Sequence, residues 1–221
     1  MEHIKSNIER IFGEIGDRST QLLAVTKTRS VEEINFAIQC GVRHIGENRV
    51  QELMDKYDRL NLEGVSVHLI GQLQTNKVKY IIDKVDLIHS VDSYKLACEI
   101  SKRALAINRV LDILIEVNVG MEESKAGVSG DELIPLLQQV SELPGVRVRG
   151  LMCIPPIASF EHENMKYFLK LKEFAVDIMT KKIDNISMDI LSMGMSEDYV
   201  DAIAAGSSFI RIGRGIFGPR T

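Results

Sequence analysis

The sequence has no tryptophan, and aromatic residues make up only 5% of it. That argues against a single-strand nucleic-acid binder, which stacks bases on aromatic rings. Basic charge is also in short supply: 27 Lys and Arg face 31 Asp and Glu, a formal net charge of −4. Such a balance cannot neutralise a phosphate backbone, so no nucleic-acid partner is expected. No uninterrupted apolar run of about 18 residues occurs, which excludes an ordinary membrane-spanning helix. The opening residues Met1-Glu2-His3-Ile4-Lys5 lack the apolar segment of a secretory signal. There are 3 cysteines and no CxxC pair. The expectation is three reduced, partly buried thiols in a cytoplasmic protein. The 5 histidines show no HxH or HExxH spacing, so no metal site is expected. GxSxG and GxxxxGK[ST] are missing too.

What the 221 residues do contain is a hydrophobic fraction of 45%, enough for a sizeable core. Ile4, Ile8, Ile11, Phe12 and Ile15 form one apolar face of an N-terminal helix. A strand–helix alternation follows. The predicted strands are 21–27, 44–48, 65–71, 87–92, 111–119, 146–154, 188–194 and 208–213. Helices are predicted between them, among them one from a Ser30 cap to Cys40, one near 77–83, one over 159–179 and one over 197–205. Eight such units predict parallel pairing and a single (β/α)8 TIM barrel in one domain, residues 1–221, with the N-terminal helix added. A doubly wound open sheet is the alternative.

Ligands of such barrels sit at the C-terminal ends of the strands. Lys27 ends the first strand, and its alternation with Leu23 and Val25 points it into the mouth. There it is either a nucleophile toward a carbonyl or a lysine that snorkels to solvent. The seventh strand runs into Gly194-Met195-Ser196, with Ser196 where a helix cap would stand. The eighth ends Arg211-Ile212-Gly213-Arg214-Gly215. Loops after strands seven and eight are the usual phosphate site of this barrel, so a phosphate-bearing small ligand is expected. Gly213-x-Gly215-x-x-Gly218 has dinucleotide-fingerprint spacing, but with three residues left after Gly218 no helix is expected to follow and receive a pyrophosphate. Asn48 ends the second strand. His68 reads as a hydrogen-bonded core residue.

Seven segments together resemble a known family: AVTKT at 24–28, GENRVQE at 46–52, HLIGQLQTNK at 68–77, ESKAG at 123–127, RGLMCIPP at 149–156, LSMGMSED at 191–198 and RIGRGIFG at 211–218. Their order and co-occurrence are similar to the pyridoxal-phosphate homeostasis proteins, also called proline synthetase co-transcribed homologues. The resemblance implies a barrel like the alanine racemase N-terminal domain. It implies pyridoxal 5'-phosphate held as a covalent aldimine on Lys27. Ser196, Gly213 and Arg214 would contact the phosphate, with Gly194 and Met195 shaping that loop. Arg211 would face the pyridine nitrogen and Asn48 would line the ring. Arginine does not give up its proton, so it would leave that nitrogen unprotonated and the cofactor a weak electron sink. The chain stops soon after the last motif, so the second domain that supplies alanine racemase with another base is expected to be missing. The implied role is a monomeric cofactor holder with no catalytic residue, in transient contact with pyridoxal-phosphate-dependent apo-enzymes and with no membrane partner. A weak amino-acid racemase and a Schiff-base aldolase acting on a sugar phosphate are the alternatives. Whether Lys125 offers a second aldimine site stays open.

Overall fold

Along the first strand, Leu23 and Val25 turn to one side and Leu22 and Ala24 to the other, and both sides are buried. A strand buried on both faces belongs in a parallel sheet covered by helices. The computed structural model describes residues 1–122 and 126–219. Its strands are β1 (Gln21–Val25), β2 (His44–Glu47), β3 (Ser66–Leu69), β4 (Leu87–Val91), β5 (Leu111–Glu116), β6 (Val146–Met152), β7 (Ile186–Ser192) and β8 (Phe209–Ile212). They close in sequence order into one parallel barrel, with β8 returning to pair with β1. The helices are α1 (Glu2–Ile15), α2 (Val31–Gln39), α3 (Val50–Lys56), α4 (Tyr94–Leu105), α5 (Gly130–Ser141), α6 (Met165–Lys181), α7 (Tyr199–Ala205) and α8 (Arg214–Phe217).

Two layers of core result. The larger lies between barrel and helices. The smaller fills the lumen with Leu23, Val25, Ile70, Leu87, Leu114, Met152 and Phe209. Ser30 caps α2 as expected, and it does so through a capping box: its hydroxyl accepts from Glu33 N–H and Glu33 reaches back to Ser30 N–H. α1 buries Ile4, Ile8, Ile11 and Ile15, while Phe12, grouped with them by spacing, stays 38% exposed. The helix α1 packs on α8, where Asn7 donates to the Ile216 carbonyl at 3.0 Å.

Several boundaries differ from the sequence expectation. The helix expected near 77–83 is a 3-10 run, Thr75–Tyr80. Its tighter turn suffices to bury Val78. The long helix expected from Ser159 begins at Met165. Before it, His162 takes a left-handed φ of 62° and bonds Asp201 instead of continuing a helix. β5 stops at Glu116; beyond it Val117 makes only an isolated bridge to Val128. α8 lies inside the Gly213–Gly218 motif itself. Cys40, Cys98 and Cys153 are free thiols, the first two half-buried and the third buried. Among the described residues no helix is long and apolar enough to cross a membrane.

Candidate functional site

A cavity of about 380 Å³ opens at the C-terminal ends of the strands. That is within the usual range for small-molecule sites. Its wall includes Lys27, Asn48, Met195, Ser196, Arg211, Gly213 and Arg214, seven of the eight residues proposed from sequence. The alternation read from β1 holds: Leu23 and Val25 face the lumen, and Lys27 follows them into the cavity, half-exposed. Gly194 stands just behind the wall, where its carbonyl accepts from the Arg211 backbone N–H at 2.9 Å. Asn48 is the residue after β2, not its last. Its backbone is gripped by Gly71, where a Cβ would come within 2.2 Å of the Asn48 carbonyl oxygen.

Ser196 does not cap α7; Asp198 occupies the cap position. The Ser196 hydroxyl instead accepts from the Gly215 N–H at 3.1 Å. The reason is the turn before α7. There Asp198 accepts from Met195 N–H at 2.6 Å, which swings Ser196 across to the β8 loop. One hydrogen bond thus ties the two loops expected to hold a phosphate. Arg214 pairs with Glu197 at 2.6 Å on the rim, both largely exposed.

Arg211 is 4% exposed. One terminal nitrogen donates to Ser192 Oγ and the other to the Cys153 carbonyl, each at 2.8 Å. Among the described residues no carboxylate lies within ion-pair distance of it. Burial lowers its pKa from the usual value, opposed by Cys153, Glu116 and Asp198, and a guanidinium stays charged through such a shift. Desolvation pushes the Cys153 thiol up to about 12, so this cysteine is inert.

Four groups add to those that the sequence placed. Arg29 lines the cavity and ties it to the chain end through the carbonyls of Phe217, Gly218 and Pro219. Asn164 lines the far wall and donates to Asp198 at 2.7 Å. Glu116, buried at the top of β5, has its pKa raised to about 7 by desolvation first and Asp92 second. His89 meets Ser192 behind Arg211 at 2.8 Å. Inward parity was the available signal for Glu116 and His89, and nothing local marked Asn164. Lys125 lies outside the described residues.

Over residues 1–221 the sequence matches the family described as the alanine racemase N-terminal domain. A pyridoxal phosphate homeostasis protein from Aquifex aeolicus is 44% identical over 220 residues, covering 100% of this chain and 95% of that protein. The chain belongs to this family. Among solved structures, PipY of Synechococcus elongatus, with pyridoxal phosphate (PLP) bound, superposes with a TM-score of 0.90 at 34% identity. The match covers 97% of this chain and 100% of that one. Alanine racemase from Corynebacterium glutamicum shares the fold alone. Its TM-score is 0.77 at 13% identity, and the match covers 99% of this chain and 61% of that one.

The residues present suit such a group. Lys27 brings an amine to the cavity, and Ser196 and Arg214 bring donors for an anion. Asn48 brings a buried side-chain oxygen that has no hydrogen-bond partner. A buried acceptor left alone is costly, so a ligand donor that reaches it is favoured.

Proposed function

We propose that residues 1–221 form one domain that holds PLP as a Schiff base on Lys27 and hands it on within the cell. The observation that carries this is the joining of Lys27, the Ser196–Gly215 bond and Arg211 in one cavity. When bound, the cofactor supplies an aldehyde. The Lys27 Nζ–carbon bond forms there and the carbonyl oxygen leaves as water; the reverse step releases the cofactor intact. Ser196 and Arg214 hold the phosphate, with Gly213 giving close backbone approach and Gly194 and Met195 setting the loop. Asn48 accepts from a ring donor. Arg211 can only donate, so it favours an unprotonated ring nitrogen and weak electron withdrawal.

Holding rather than turnover is supported by the lining. Among the described residues it has no histidine, tyrosine or cysteine. Its two carboxylates are engaged, Glu197 by Arg214 and Asp198 by Met195 N–H and Asn164. The half-exposed Lys27 and the apolar rim at Ile157, 90% exposed, suit exchange with apo-enzymes. Three free thiols suit a cytoplasmic setting. A monomer completes this reading.

The test is an absorbance spectrum followed by borohydride reduction and peptide mapping. We expect a yellow protein with the reduced pyridoxyl group on the Lys27 peptide, absent in Lys27→Ala. A colourless wild type with no adduct after incubation with PLP overturns the reading. So does vigorous Cα-hydrogen exchange on amino acids that Lys27→Ala abolishes, because a holder should not turn over.

A further inference from the structure

Three histidines meet inside the barrel, far apart in sequence. His44 begins β2, His68 lies in β3 and His89 in β4. His44 Nδ1 is 3.2 Å from His68 Nε2, and His68 Nδ1 is 2.8 Å from His89 Nε2. His89 Nδ1 then crosses the lumen to Ser192 Oγ on β7 at 2.8 Å, and Ser192 accepts from Arg211 on β8. The ring of Phe209 stands edge-on to His44 and His68, with centroids 4.9 and 5.2 Å away. His68 and His89 are 2% and 0% exposed, and Ser192 is fully buried.

Each proton in this row can be assigned from Arg211 outward. A guanidinium has only donors, so Ser192 Oγ must accept from it. We assign the one serine hydrogen to His89 Nδ1, since the buried hydroxyl needs an acceptor and this ring nitrogen stands 2.8 Å away. The His89 hydrogen is then on Nε2 and goes to His68 Nδ1. The His68 hydrogen, also on Nε2, goes to His44 Nδ1. Every bond points the same way, and every ring is neutral. Desolvation lowers the pKa of all three rings, with Asp86 opposing at His44 and Arg211 reinforcing at His89. A donor that is itself accepting polarises the next bond, so the row strengthens Ser192 as an acceptor for Arg211.

We propose that His89, through Ser192, is a positioning residue for the Arg211 guanidinium, and that it belongs to a one-way hydrogen-bond relay running from Arg211 through His68 to His44. The relay itself is a property of the protein alone; its bearing on the ring of PLP rests on the function proposed above. Arg211 is held from behind at two nitrogens, by Ser192 and by the Cys153 carbonyl. Losing the first leaves the guanidinium free to turn about the second.

The first experiment needs no cofactor. Nitrogen NMR of histidine-labelled full-length protein, assigned with single histidine variants, reads the ring tautomers. We expect His68 and His89 to stay neutral with hydrogen on Nε2 as the pH is taken from 8 to 5. A hydrogen on His89 Nδ1, or either ring titrating near its usual value in the folded protein, overturns the relay. The second uses protein loaded with PLP. In Ser192→Ala and His89→Leu we expect a displaced absorption maximum and release of PLP about tenfold faster, the scale of one hydrogen bond to a charged group. Ser192→Thr keeps the hydroxyl and should restore both. Variants that melt earlier but keep the wild-type spectrum and release rate would show packing alone and overturn the positioning role. If wild type never carries PLP on Lys27, the proposed function fails, while the tautomers still decide the relay. They also decide it if a variant does not fold.

Discussion

At Gly194 the backbone has φ +91°, and a Cβ there would come within 2.4 Å of the Ala202 methyl. Both the left-handed conformation and the crowding exclude a side chain. This residue lies between the end of β7 at Ser192 and Ser196, so its shape sets where the loop hydroxyl arrives. Gly194→Ala should therefore destabilise the protein by about 2–4 kcal/mol. Urea denaturation measures this directly, and an unchanged midpoint would show that α7 shifts freely. Arg211 poses a different problem at the same scale. Among the described residues its buried charge has no ion-paired carboxylate, and its side-chain nitrogens donate to the neutral oxygens of Ser192 and Cys153. Such a group is costly in stability, which fits a residue kept for its ligand.

Among the elements, α1 precedes the barrel yet supports the site. Its isoleucines seal against the core, and Asn7 and Arg10 reach Ile216 and Tyr199 on α8 and α7. α7 follows the loop that carries Ser196, and α8 begins at Arg214. Ile8 is 0% exposed, so Ile8→Ala should cost about 2–5 kcal/mol, read as a lowered denaturation midpoint. A cost under about 1 kcal/mol would mean that α1 is a loosely docked appendage. The 3-10 run at Thr75–Tyr80 shows where local propensity stopped deciding. Its residues could continue a longer helix, but only one short apolar face needs cover there.

Over the whole molecule, acid stability is set by opposing buried groups. Burial holds His68 at about 3, against 6.5 when unfolded, and lowers His89 well below the same value. Below pH 6.5 the unfolded chain binds more protons at these rings, so stability is lost as the pH falls. Glu116 acts oppositely, because burial raises it from 4.5 to about 7. Its contribution is complete below pH 4.5 and is lost as the pH rises through about 7. Between pH 6.5 and 4.5 the two partly cancel. Glu116→Gln removes one side, so its melting temperature should fall more steeply with acid than that of wild type. Parallel melting curves across that range would contradict the assignment of Glu116.

The strand–helix alternation, the barrel and the place of Lys27 were legible in the chain because they depend on local periodicity. A period of two sends Leu23, Val25 and Lys27 the same way whatever surrounds them. The paired loops at Ser196 and Arg214 were legible for a related reason: glycines and a serine at strand ends carry their conformational meaning with them. Local pattern did not disclose that Ser196 reaches Gly215 instead of capping α7. It did not show that Arg29 closes on the residues after α8, or that His162 interrupts a helix to meet Asp201. Nor could it join His44, His68 and His89 to Ser192, since His89 and Ser192 stand 103 residues apart in sequence. Those contacts exist only once eight strands have closed and their inward side chains must satisfy one another away from water.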